Sequence, residues 1–199
     1  MSLGKQSKVL SDKQCQVAIS YLSGSRHNLR NKVIFLLSVK SGLRAKEISE
    51  LKWSMVCDSN GDVGETINLT NQASKGKSGR IIPLNKVLKG ALAELYVIER
   101  TINSFDLENA YVVRTERSRK TSAQAVVNMF KGWYKDLGFL GCSSHSGRRT
   151  FITNASKKIS LVGGSLRDIQ VMAGHRNLQT TQRYIDYDTE SQRKVIDLI

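Results

Sequence analysis

The sequence predicts an α+β fold that is mostly helical, with one small antiparallel β-hairpin sheet. Three observations predict it. Most apolar residues recur at helical spacing, in segments closed by Gly or opened by Ser and Asn. Only two short runs, "ETINLT" (65–70) and "RIIPL" (80–84), have a strand-like pattern, and the polar turn "NQASKGKSG" joins them. No internal repeat or low-complexity tract interrupts the 199 residues, a length sufficient to bury one generous core.

Taken in order, "SDKQCQVAISYL" (11–22) has Ser11 as an N-cap and Val17, Ala18, Tyr21 and Leu22 on one face. "NLRNKVIFLLSVKSG" (28–42) reads as a buried helix stopped by Gly42. "RAKEISEL" (44–51) is a short helix that turns Ile48 and Leu51 inward. After the hairpin, whose second strand ends at the sole proline, Pro83, "KVLKGALAELYVIER" (86–100) is helical. "AYVV" is a short strand or a loop. The helix over 122–138 lines up Val126, Met129, Phe130, Trp133 and Leu137 as a core stripe and ends at Gly138. Ser143 or Ser144 then caps a helix from His145 to about Ser156, and "LVGG" forms a loop. Ser165 and Asp168 match a capping box for a helix that Gly174 stops, and Asn177 caps a last helix through Tyr184.

Lys and Arg number 31 against 17 Asp and Glu, a net charge of +14, which makes a polyanion, nucleic acid first, the expected partner. No apolar run approaches the ~18 residues of a membrane span, so no membrane partner is expected. The polar start carries no apolar signal region. Cys15, Cys57 and Cys142 are odd in number and widely spaced, as reduced cytoplasmic thiols are, and form neither a disulfide framework nor a zinc site.

Several basic and phenolic residues stand out. His145 and Arg148 lie at i and i+3 in "HSGRR"; Arg44 follows a helix-stopping Gly, with Glu47 one turn on; Lys75 and Lys77 sit in the hairpin turn. His175 and Tyr184 are nine positions apart in "AGHRNLQTTQRYI". At ~100° per residue they would not share a face of one straight helix, but the break from Gly174 to Asn177 removes that objection. Each feature alone has an ordinary reading: a solvated face, a surface ion pair, a cap, a half-buried packing residue.

The ordered set changes this. "SGLRAKEISEL", "KGKSGRIIPL", "HSGRRTF" and "GHRNLQTTQRYI" together resemble the catalytic domain of the tyrosine recombinase (phage integrase) family, from about residue 10 to the C-terminus. The resemblance implies the tyrosine recombinase catalytic-domain fold and a site-specific recombinase. Such an enzyme cleaves and rejoins DNA through a covalent 3′-phosphotyrosyl intermediate, without metal, ATP or cofactor. It implies Tyr184 as nucleophile, Arg44 and Arg148 as the phosphate clamp, and Lys75 as general acid, with Lys77 as its substitute. It further implies His145 as proton acceptor or phosphate ligand, and His175 as a hydrogen-bond donor to phosphate and partly a structural prop. Glu47 would buttress the arginines. The basic "RTERSRK" run (114–120) reads either as a DNA-backbone contact or as an exposed, disordered loop.

The chemistry agrees with that set. Attack on phosphorus needs a nucleophile, cations on the equatorial oxygens and a proton for the departing alkoxide. Two guanidiniums bond phosphate oxygens bidentately and keep their charge. The expected organisation is an N-terminal tail (1–10), a catalytic domain (11–189) and a C-terminal tail (190–199) whose apolar end packs on its own core or contacts another protomer. The expected partners are double-stranded DNA and further recombinase protomers, in a tetrameric synapse. A type IB topoisomerase would share the catalytic set, and a basic DNA-binding module with vestigial residues would share the surface. Both alternatives stay open at this stage.

Overall fold

The computed structural model describes residues 6–74, 76, 78–102, 104–116, 118–184, 195–197 and 199. Helix α1 (Asp12–Ser23) opens at Ser11, whose Oγ accepts from Gln14 N at 3.2 Å while Gln14 Oε1 accepts from Ser11 N at 2.9 Å. Two of the orphan donors of the first turn are thereby satisfied. Helix α2 (Asn28–Ser41) is the spine of the fold. Val33 through Leu37 are all fully buried, and the helix packs against α1, α3 (Ala45–Glu50), α4 (Lys86–Arg100) and α6 (Ser146–Lys158). An apolar run without polar interruption suits a helix covered on several sides. Ile48 and Leu51 point inward from the α3 segment as expected, and α3 lies on α5 (Ala123–Asp136). Val126, Phe130 and Trp133 of α5 are buried, with Met129 and Leu137 packed beside them.

The sheet is the two-stranded hairpin of β1 (Thr66–Leu69) and β2 (Arg80–Pro83), antiparallel, with Ile67 opposite Ile82 and Leu69 opposite Arg80. "AYVV" is a loop with an antiparallel bridge from Tyr111 to Lys52; Val112 and Val113 are buried in the core, and Val113 O accepts from Thr121 N at 3.2 Å.

Several boundaries differ from the sequence reading, among them the end of α5 at Asp136 rather than Gly138. Helix α6 begins at Ser146 and continues to Lys158, and its N-cap is His145 rather than a serine. Ser143 instead exchanges local bonds: its N–H donates to Ser146 Oγ at 3.0 Å and its Oγ accepts from His145 N at 3.2 Å. The "LVGG" segment starts as a 3₁₀ turn over Ile159–Val162, followed by α7 (Leu166–Ala173). Helix α8 (Leu178–Gln182) stops before Tyr184, because the chain tightens there: Tyr184 N–H donates to Thr181 O at 3.0 Å, and Tyr184 O accepts from Thr153 Oγ1 at 3.1 Å.

Packing falls into one large core and one small satellite. The satellite consists of Ile152, Ile169 and Ala173, with Phe151, Ala155, Ile159, Leu166, Met172 and Tyr184 against it. Its buried members come from α6 and α7, and Tyr184, just past α8, packs against them. Among the described residues, no helix is long and apolar enough to cross a membrane. The expected C-terminal contact segment falls largely outside the described residues; within it, 195–197 are exposed.

Candidate active site

Three helix ends meet at one place. Arg44 is the N-cap of α3, extended in backbone (φ −77°, ψ 156°), and its N–H donates to Glu47 Oε2 at 2.9 Å. Its guanidinium donates to Glu47 Oε1 at 2.8 Å and remains partly exposed. Glu47 is itself fully buried and also receives a two-pronged contact from Arg80, with Nη1 to Oε1 and Nη2 to Oε2 both at 3.1 Å. Burial pushes the Glu47 carboxyl up, but Arg80, joined by Arg44, outweighs it and holds the group below the usual carboxylate range. A carboxylate so placed is an anionic anchor for two cations.

Arg148 sits in the first turn of α6 and is almost fully buried. Its Nη1 donates to Gly42 O at 2.6 Å and its Nη2 to Ala173 O at 2.7 Å. Both acceptors lie at helix C-termini, where carbonyls lack intrahelical partners and carry partial negative charge. A guanidinium has five N–H groups, so three remain beyond these two bonds. Burial, then the neighbouring Arg44, lowers its pKa to about 10, which leaves it charged at neutral pH. Its placement depends on Gly147, where an added Cβ would stand 2.3 Å from Ser38 Oγ: α6 approaches α2 too closely for a side chain.

His175 lies in the turn between α7 and α8. Gly174 makes that turn with φ +62°, and a Cβ there would come within 2.8 Å of the Arg80 guanidinium. Gln170 holds the His175 backbone from both sides, accepting from its N–H at 3.1 Å and donating to its carbonyl at 2.9 Å. The ring is fixed by a 3.0 Å contact between Nδ1 and Thr181 Oγ1 and stacks on Tyr184 at 5.5 Å between centroids and 20° between planes. Burial first, then the charges of Arg148, Arg44 and Arg80, lowers its pKa to about 4, so the imidazole is neutral at physiological pH.

This shift has a measurable consequence. The unfolded chain protonates His175 near its ordinary value of 6.5 and the folded chain only near 4. The stability it contributes is therefore complete above about pH 6.5 and drains away as pH falls towards 4. Between about pH 6.5 and 5 the loss should reach roughly 2 kcal/mol. Urea denaturation of the native chain and of His175→Gln at both pH values should show the variant with the smaller drop; equal drops would contradict a neutral, buried imidazole.

Arg44, His145, Arg148, His175 and Tyr184 all line one open cavity of about 450 Å³, together with Gln6, Ser7, Arg149, Thr180 and Arg183. His145 is exposed and Tyr184 half-buried. Five of the six expected site residues are thus brought together. Lys75 and its alternative Lys77 lie outside the described residues, although the hairpin bearing them is anchored beside this cavity by Arg80. Among the described residues, no three His, Cys, Asp or Glu side chains converge as metal ligands would.

The sequence model of the Phage integrase family matches residues 8–191. The chain belongs to the phage integrase family. Among curated members of that family, it is 33% identical over 174 residues to tyrosine recombinase XerA of Pyrococcus horikoshii, covering 85% of this chain and 55% of that protein. It is 28% identical over 202 residues to tyrosine recombinase XerC of a Shewanella species, covering 99% of this chain and 63% of the relative. The chain therefore spans little more than half the length of the curated relatives it matches. A crystal structure of XerA recombinase shares the fold at TM-score 0.74 and 22% identity, over 96% of this chain and 64% of that one. XerH recombinase bound to palindromic difH substrate does so at TM-score 0.72 and 18% identity, over 94% and 51%.

Within this family fold, the sequence reading passed over Arg80, Thr181 and the segment at Gln6 and Ser7. Arg80 carried a usable signal. Strand β2 alternates, with Arg80 and Ile82 inward and Ile81 and Pro83 outward, and an arginine on the inward face requires a buried acceptor. It has three: the Glu47 carboxylate, Met172 O, 2.7 Å from Nε, and Ser78 O, 3.3 Å from Nη1. Gln6 carried none, since its partner Arg149 lies 143 positions away, whereas Thr181 is six positions from His175 and meets it only through the shape of the turn between α7 and α8.

Proposed function

We propose that this chain is the catalytic part of a site-specific DNA recombinase that breaks and rejoins strands through a 3′-phosphotyrosyl link. The observation that carries this is the Tyr184 phenol stacked on a neutral histidine, in a cavity that also presents Arg44, Arg148 and a second histidine. Tyr184 Oη attacks the scissile phosphorus and passes its proton to His145. Arg44 and Arg148 neutralise the nonbridging oxygens as charge builds on them. His175, held at Nδ1 by Thr181, offers its other ring nitrogen as a hydrogen-bond donor to phosphate. The P–O5′ bond breaks as the hairpin lysine, Lys75 or Lys77, delivers a proton to the leaving oxygen. Bond energy is kept in the phosphotyrosine, so rejoining by a new 5′-hydroxyl needs no nucleotide cofactor.

Double-stranded DNA is the proposed substrate, consistent with the excess of positive charge and with the structural neighbour XerH recombinase bound to its palindromic difH substrate. Further protomers are the proposed partners, in a tetrameric synapse. Residues 11–189 form the catalytic unit, and the tail from 190 reaches a neighbour.

The test is trapping. Incubation with a random-sequence library of nicked duplexes, in the presence of chelator, should give a protein–DNA adduct that survives denaturant, linked at a 3′ phosphate. Absence of adduct across the library would leave a DNA-binding module. Adduct together with relaxation of supercoiled DNA lacking paired sites would favour the topoisomerase reading.

A further inference from the structure

The hairpin that carries the lysines is only four residues per strand, and an isolated hairpin of that size is marginal in water. Its turn is internally bonded: Ser74 Oγ accepts from Ser78 N at 2.8 Å and Asn71 Oδ1 accepts from Gly79 N at 2.9 Å. Those bonds shape the turn but do not fix where it stands relative to the cavity. Two arginines do. Arg80, at the start of β2, is tied to Met172 O and Glu47. Arg176, the residue after His175, donates from Nη2 to Gly76 O at 2.6 Å. Gly76 has φ +71°, and an added Cβ there would stand 3.0 Å from the same Nη2, so the turn is shaped to receive this side chain closely.

Gly76 stands between Lys75 and Lys77 in the chain. We propose that Arg176 is a positioning residue for leaving-group protonation: its bond to Gly76 O holds the hairpin turn against the segment that carries His175, and so sets the reach of the adjoining lysine. This rests on the reading of a hairpin lysine as general acid. Arg176 itself neither gives nor takes a proton. Its backbone is well fixed for the task, because Gln170 clamps His175 and Asn177 Oδ1 caps α8 by accepting from Gln179 N at 2.9 Å. A proton donor confined near its target acts at a far higher effective concentration than one on a free loop.

The experiment uses nicked duplexes cut at the position located by trapping, with either oxygen or sulfur as the bridging 5′ atom. A leaving thiolate, with a conjugate-acid pKa of about 8–9 by analogy with cysteine, departs without a proton. On oxygen DNA, Arg176→Ala should cleave roughly 10–100-fold more slowly, the range one charge-assisted hydrogen bond commands. On sulfur DNA it should recover most of that loss, and Arg176→Lys, which keeps one donor, should fall between. Arg176 is exposed, so the fold should persist, as a thermal melt would verify. An arginine acting only as a DNA-backbone contact would slow both substrates alike, and that result, or no slowing at all, overturns the proposal. Lys75→Ala and Lys77→Ala run alongside. If one lysine variant is selectively restored by sulfur and Arg176→Ala is not, the positioning role alone falls. If neither lysine is restored, the general-acid reading falls and takes the positioning role with it.

Discussion

Tyr184→Phe should bind nicked duplex DNA as the native chain does and yield no covalent adduct. The substitution removes one oxygen and leaves the ring, which is what stacks on His175 and packs beside Ile152, Ile169 and Ala173. Stability should therefore stay within about 0.5 kcal/mol of the native value. The lost oxygen is the atom that would join phosphorus, and none of the neighbouring groups replaces it: His175 is neutral and held at Nδ1 by Thr181, and the arginines are cations. The effect on cleavage is total rather than graded. Binding by gel shift and adduct by denaturing electrophoresis, on the same samples, separate the two properties. An adduct formed by the Phe variant would move the nucleophile elsewhere.

Glu47→Gln should be the most damaging single change outside the reacting groups. Glu47 is fully buried and carries the only charge described in contact with both Arg44 and Arg80. Removing one partner of a buried pair typically costs about 3–5 kcal/mol, because the remaining charge keeps its desolvation penalty and loses its compensation. Set against a total stability of about 5–15 kcal/mol, that is a large fraction. Replacing both members, Glu47→Met with Arg80→Met, should restore much of the stability, since no buried charge is then stranded. It should not restore cleavage, because Arg44 would have lost the carboxylate that orients it. Urea unfolding paired with the adduct assay tests both halves, and a double variant as active as the native chain would remove Glu47 from any part in placing Arg44. Acid should mimic the single variant. The folded-state pKa of Glu47 lies below its ordinary 4.5, so its contribution is intact above that value and is lost as pH falls through the lowered one.

Signals confined to a few neighbouring residues were legible in the sequence. Ser11 with Gln14, Ser165 with Asp168, and Asn177 ahead of Gln179 are side chains bonding backbone within three positions, so composition and spacing reveal them directly. The site was legible as an ordered set of four short motifs, each anchored to a helix start or a turn. What escaped notice depends on contacts far apart in the chain. Arg80 and Glu47 are 33 positions apart, and Arg148 reaches Gly42 O across 106. The early end of α8 is of the same kind, since the Thr153 hydroxyl that takes up the Tyr184 carbonyl comes from α6.

If the proposed function holds, the satellite cluster of α6 and α7 would make holding and cutting separable acts. Arg44 and Glu47 belong to segments rooted in the large core, whereas Tyr184 rests on a patch with two isoleucines and one alanine fully buried. At about 1.5–3 kcal/mol for a large aliphatic side chain, that patch supplies only a small part of the cohesion of the whole. A fluctuation that lifts α7 and α8 gives up this small patch and the ties of Met172 O to Arg80, Ala173 O to Arg148 and Arg176 to Gly76 O, but leaves the large core intact. It would withdraw the phenol and leave the α3 cation in place. It would also free the Arg148 donor now spent on Ala173 O, trading a bond within the protein for one more hand on a phosphate.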